Sequence, residues 1–116
     1  MPHNPEKYLY DMLDSSQFLL NFIQGRQLAD LREDRGFRAA VERELMIIGE
    51  AMWALSKTHA DIASQIPEHN RIIRFRHILV HGYDQIDQDL VWIILQEKLP
   101  ALCDVVAKLL NKPLNL

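Results

Sequence analysis

Cysteine is almost absent from this chain: Cys103 stands alone among 116 residues. A single thiol closes no internal disulfide, so the disulfide framework of a small secreted domain is excluded and nothing asks for an oxidising compartment. Cys103 sits within an apolar helical pattern, which assigns it to core filling. Long apolar runs are missing too. The longest, Leu90 to Leu95, falls far short of the ~20 residues that span a bilayer. The opening residues, MPHNPEKYLY, lack the charged-then-apolar order of an export signal, so a soluble cytoplasmic protein with no membrane association is expected. Excess positive charge is the third absence. Thirteen Lys and Arg against sixteen Asp and Glu leave a formal charge of -3 and a pI near 5.9. Domains that coat nucleic acid through their overall field are strongly basic, so any such contact here has to be local.

What is present is helical periodicity. With 48% hydrophobic residues the chain can bury one core, which makes residues 1–116 one domain and leaves no room for two. Asn4 and Pro5 mark a helix start, and Gly25 offers a left-handed stop after Leu9, Leu13, Ser16, Leu20 and Ile23, with Met12 and Leu19 widening the stripe. Residues Arg26 to Gly36 read as a polar connection with room for a short turn. A second helix begins between Asp34 and Phe37 and runs to about Ser56, because Phe37, Val41, Leu45, Ile48, Met52 and Leu55 recur at steps of three and four. Inside it, Gly49 lowers helix propensity and so implies a closely packed neighbour. Its successor Glu50 lies off the apolar stripe, either as a solvated carboxylate or as a partner for Arg76.

A short helix or turn fits Thr58 to Gln65. Pro67 then opens a third long helix, with Glu68 in its first turn and Gly82 as its C-terminal stop. Asp87 caps a last helix from Gln88 to about Leu110, apolar over more than one face and kinked at Pro100. Such a broad apolar surface suits two interfaces, one with the core and one with a second subunit. The expected fold class is therefore all-α: an antiparallel bundle of four main helices plus a short helix, forming a homodimer.

Within this acidic chain, Arg71 to Tyr83 (RIIRFRHILVHGY) carries three arginines and two histidines with no acidic residue between Glu68 and Asp84. Taking ~100° per residue from Ile72, Arg76 lies about 40° away, at the edge of the buried stripe, whereas His77, His81 and Arg74 lie near 140°, 180° and 200°. Arg76 should be half-buried and oriented. An ideal helix separates it from His81 by about 140°, so a joint site requires either unwinding at His81 or contributions from two chains. The chemistry available to such a pair is cleavage of RNA. A histidine, with an ordinary pKa near ~6.5, can take the proton of a 2'-hydroxyl, and a guanidinium can steady the charge gathering on the phosphate. Neither role needs a metal. A zinc reading of His77 and His81 at i, i+4 would need a third ligand from Asp84 or Asp87.

Arg76, His81 and Tyr83 spell R-x-x-x-x-H-x-Y. Together with Ile48-Gly49-Glu50-Ala51, Val91-Trp92 and Pro100, they make the chain resemble the HepT family of the HEPN superfamily over nearly its whole length. The resemblance implies a homodimeric toxin of a toxin-antitoxin pair, with ribonuclease activity in a cleft at the dimer interface. Arg76 and His81 would be the catalytic pair, with His77 as a supporting polar group; Arg74 and Glu50 complete the residues expected to support the site. It also implies a partner, a minimal (MntA-like) nucleotidyltransferase antitoxin that transfers AMP from ATP to the motif tyrosine, here Tyr83. No cofactor or metal is called for. A wider group of similar sequences is regarded as noncatalytic nucleotide- or substrate-binding subunits of nucleotidyltransferase complexes, which leaves a binding module as the alternative to an RNA endonuclease.

Overall fold

Asn4 opens the first helix as its side chain predicts, its Oδ1 accepting the Lys7 N–H at 3.1 Å, with Pro5 at a position where the missing N–H is harmless. The computed structural model describes residues 4–111; the outer ends of the expected domain, 1–3 and 112–116, lie outside the described residues. Helix α1 spans Pro5–Phe22 and buries Leu9, Met12, Leu13 and Leu19, and Gly25 takes the left-handed conformation at φ 76° just beyond it. The connection that follows corrects the reading of Arg26 to Gly36 as polar turn. Leu28–Glu33 forms a short helix, α2, because Asp30 reaches back to the Gln27 N–H at 2.8 Å and Leu31 is fully buried. One buried leucine in a charged segment is invisible to periodicity.

Helix α3 spans Arg35–Thr58 and buries every apolar residue the three-four pattern selects, from Phe37 to Leu55. Asp34 caps it, accepting the Phe37 N–H at 3.0 Å, and also faces Arg26 at 3.6 Å. Replacing this cap by alanine should cost about 1 kcal/mol. Thermal unfolding followed by circular dichroism should show the Asp34→Ala midpoint lowered by roughly 3–6 °C; an unchanged midpoint would mean that the cap contributes nothing.

A single helical turn, α4 (Ala60–Ala63), carries the chain round, with Ile66 buried and Ile62 half-buried. Helix α5 runs His69–His81, two residues later than Pro67 suggested. Glu68 is the reason. It takes a left-handed backbone at φ 60°, and its carboxylate meets Arg71 at 3.0 Å and Lys98 at 3.5 Å instead of capping the helix. Gly82 ends α5, as predicted, although its φ of -121° is not left-handed. A 3-10 turn, Tyr83–Gln85, leads to the last helical stretch: α6 (Gln88–Ile93), a π segment (Ile94–Lys98) and α7 (Leu99–Leu110). Asp87 caps it through the Asp89 N–H at 2.9 Å. The expected effect of Pro100 takes the form of that π segment. Proline has no N–H for the preceding turn, and the Leu99 N–H accordingly bonds back five residues, to the Ile94 carbonyl.

The result is an all-α bundle in which α1 packs on α3 and α7, and α5 packs on α3. Cys103 lies in the core, where burial, with help from the Asp104 carboxylate, pushes its thiol pKa up. No helix among the described residues is long and apolar enough to cross a membrane.

Candidate active site

The site starts from a notch in α3. A Cβ built on Gly49 would sit 2.2 Å from Cβ and 2.7 Å from Cγ of Arg76, and 3.3 Å from its Cα. Only a hydrogen at position 49 leaves space for α5 to cross α3 at this point. The close neighbour that Gly49 implied is thus the stem of the motif arginine. From this notch the Arg76 guanidinium turns to Glu50, one residue on, and donates through Nη2 to Oε1. The sharper reading of Glu50 holds, although its carboxylate remains 50% exposed while the Arg76 side chain is 22% exposed.

Energetically the arrangement does little for the fold. An ion pair with one partner in solvent contributes about 0–1 kcal/mol. The Arg76 Nε is buried with no hydrogen-bond partner among the described residues, and such a group costs about 1–3 kcal/mol.

The other motif groups occupy the outward side of α5, as the helical angles require. His77 and His81 are exposed, their rings 4.7 Å apart and tilted by 50°. Neither ring nitrogen makes a hydrogen bond among the described residues, and exposed Arg74 has no ion-pair partner there. The guanidinium of Arg74 is free to meet an anion. Helix α5 remains helical through His81, so the motif does not unwind. Arg76 and His81 stay on separate flanks of one helix, and one of the two routes to a joint site is closed. Tyr83, the first residue of the following turn, is 74% exposed and its hydroxyl is unbonded among the described residues. No group of three His, Cys, Asp or Glu side chains able to hold a metal ion forms among the described residues, so neither Asp84 nor Asp87 folds back onto the histidine pair.

Beside this outward side, an open groove of about 460 Å³ separates α5 from the last helical stretch. Ile72, Phe75, Ile78, Leu90, Ile94 and Leu102 give it an apolar lining, with Arg71 and Arg74 also on its wall. Ile78 and Leu90 are largely exposed, as is Ile93 on the same stretch. Periodicity announced the surplus of apolar surface on the last helix, but not that it forms one wall of a groove shared with α5. That adjacency depends on where α5 docks.

Residues 12–109 match the family described as ribonuclease HepT-like. A protein of Caldanaerobacter subterraneus subsp. tengcongensis is 30% identical over 93% of this chain and 96% of its own length. One from Methanocaldococcus jannaschii is 30% identical over 82% of this chain and 86% of its own length. Another from Thermococcus cleftensis is 28% identical over 88% and 92%. The first two are provisionally named RNases, and the third provisionally ribonuclease HepT. No solved structure matches at the same stringency.

Proposed function

Because this chain belongs to the HepT-like ribonuclease family, we propose that it is an RNA endonuclease, the toxin of a toxin-antitoxin pair, whose active site is completed by a second copy of the chain. The observation that carries the reading is the Arg76 guanidinium, fixed over Gly49 by Glu50 on the helix that also presents the unbonded imidazole of His81. His81 accepts the proton of a ribose 2'-hydroxyl, whose oxygen attacks the adjacent phosphorus. Arg76 meets the charge that builds on the non-bridging oxygens. The 5'-oxygen departs and takes up a proton, leaving a 2',3'-cyclic phosphate and a 5'-hydroxyl. His77 and Arg74 hold the flanking phosphates, and no step requires a metal.

Two features support a composite site. The intact helix keeps Arg76 and His81 about 140° apart within one chain. The apolar groove between α5 and the last helical stretch is a surface that a twofold partner would cover. The direct test is incubation of purified protein with RNA in EDTA. Cleavage by the unmodified chain and its loss in His81→Ala support the reading; binding without cleavage, with only affinity altered in the variant, would make the chain a binding subunit instead.

Control of the site follows from Tyr83. A nucleotidyltransferase can reach this exposed hydroxyl, join it to the α-phosphorus of ATP and release pyrophosphate. Negative charge added two residues after His81 would repel RNA and pair with Arg74 and Arg76. Intact-mass spectra of the chain expressed with such a partner should show AMP-sized increments that vanish in Tyr83→Phe. Their persistence in that variant would remove Tyr83 from the switch.

A further inference from the structure

Trp53 is the exposed aromatic of α3. It lies off the buried stripe of the helix, its indole 42% exposed and the Lys57 ammonium 5.9 Å from its ring centroid. At ~100° per residue, Arg43, Met46, Glu50, Trp53 and Lys57 share one strip about 80° wide and ~21 Å long. Arg43, Glu50, Trp53 and Lys57 are exposed along it, and Arg43 has no ion-pair partner among the described residues. The single carboxylate of the strip, Glu50, is already engaged with Arg76. A cation therefore stands at each end, an aromatic face between them, and the motif guanidinium against the flank, ~4.5 Å of helix rise from the indole.

This combination fits unpaired nucleic acid better than a protein surface. An isolated indole between charges is too small an apolar patch to hold a folded partner. An unstacked base, by contrast, needs one flat π-face with a cation nearby for the next phosphate. We infer that Trp53 is a stacking platform for a base of single-stranded RNA next to the phosphate held at Arg76, with Lys57 as the adjacent phosphate contact. The inference rests on the ribonuclease reading of Arg76 and adds the substrate class: unpaired RNA over duplex, whose bases are stacked on each other and offer no free face.

The test uses the full chain with His81→Ala, to leave RNA intact, and Trp92→Phe, to make Trp53 the only indole. Titration with a short oligouridylate should quench its fluorescence saturably at low salt, while a blunt RNA duplex of equal length should not. In cleavage assays on otherwise unmodified protein, Trp53→Ala should raise KM for unpaired RNA roughly 5- to 100-fold with kcat unchanged, and Trp53→Phe should recover most of the loss. Fluorescence that ignores the oligouridylate, or a Trp53→Ala KM equal to that of the parent, overturns the platform even in an active ribonuclease. Quenching by oligouridylate in a chain that never cleaves RNA keeps the platform and removes the nuclease reading. A response only to a nucleotidyltransferase partner assigns Trp53 to a protein interface and overturns the inference.

Discussion

His81→Ala should lower the rate of RNA cleavage about 10²- to 10⁴-fold, the usual contribution of a positioned proton-transfer group, with little change in thermal stability. The side chain is exposed and makes no hydrogen bond among the described residues, so its removal leaves no cavity and no orphaned polar group. Arg76→Ala should be comparably slow, because a preorganised donor at a developing charge is worth about 10²- to 10³-fold. Arg76→Lys should restore little, since an ammonium keeps the charge but not the planar fork that faces both Glu50 and a phosphate.

The informative experiment combines the two dead variants. If each site takes its arginine from one chain and its histidine from the other, a mixed dimer of Arg76→Ala and His81→Ala contains one complete site and one doubly empty one. Random pairing makes half the dimers mixed, so co-refolded protein should recover about a quarter of the parental rate. If one chain supplied both groups, no pairing would restore activity. Recovery at background level would therefore sink the composite site, and a monomeric mass in solution would sink it sooner.

The second large effect is expected at a residue with no functional group. Gly49→Ala adds a methyl carbon 2.2 Å from Arg76 Cβ, and the atoms it meets belong to the root of that side chain and to the α5 backbone, which cannot swing aside. Overpacking of this kind costs about 1–3 kcal/mol, from which up to about 1 kcal/mol of helix propensity is recovered on replacing glycine. The melting temperature should fall by several degrees. Activity should fall much further than stability. Moving α5 away from α3 carries Arg76 off its Glu50 anchor, and a displacement of about 1 Å at a reacting group can cost ~10²-fold. Removing the obstruction from the other side separates these contributions. In an Arg76→Gly background the same Gly49→Ala change should cost far less, because the Cβ and Cγ clashes are gone and only the 3.3 Å approach to the α5 backbone stands against the gain in propensity. A Gly49→Ala protein with parental melting and parental cleavage would show that the notch is not needed to seat the arginine.

How far these residues could be read in advance varied with how local their cause was. Asn4 and Asp87 announced their caps because a cap is settled within three residues, and α3 announced its buried face because that face repeats. Helix α2 carries no periodic signal, because a single buried leucine stands among charges, and α5 starts later than Pro67 implies because Glu68 is drawn into ion pairs with Arg71 and with Lys98, thirty positions away. For Glu50 the chain held both possibilities open. Helical angles put it off the core stripe, and only the crossing of α5 at Gly49 decided that its carboxylate faces Arg76 rather than water alone. Trp53 carried a usable signal, three residues after Glu50 and four before Lys57 on one face, but exposure was needed to separate it from core packing.

By itself the order of residues determined the helical class, the positions of most helix ends, the family motif and the ~140° between Arg76 and His81, since all of these follow from bond geometry and periods a few residues long. The tertiary structure alone decided that Gly49 seats Arg76, that Glu50 anchors it, that α5 stays wound through His81, and that an apolar groove opens between α5 and the last helical stretch. Those outcomes depend on how whole helices dock, which is governed by shape and burial summed over residues far apart in the chain, and no local pattern carries that sum.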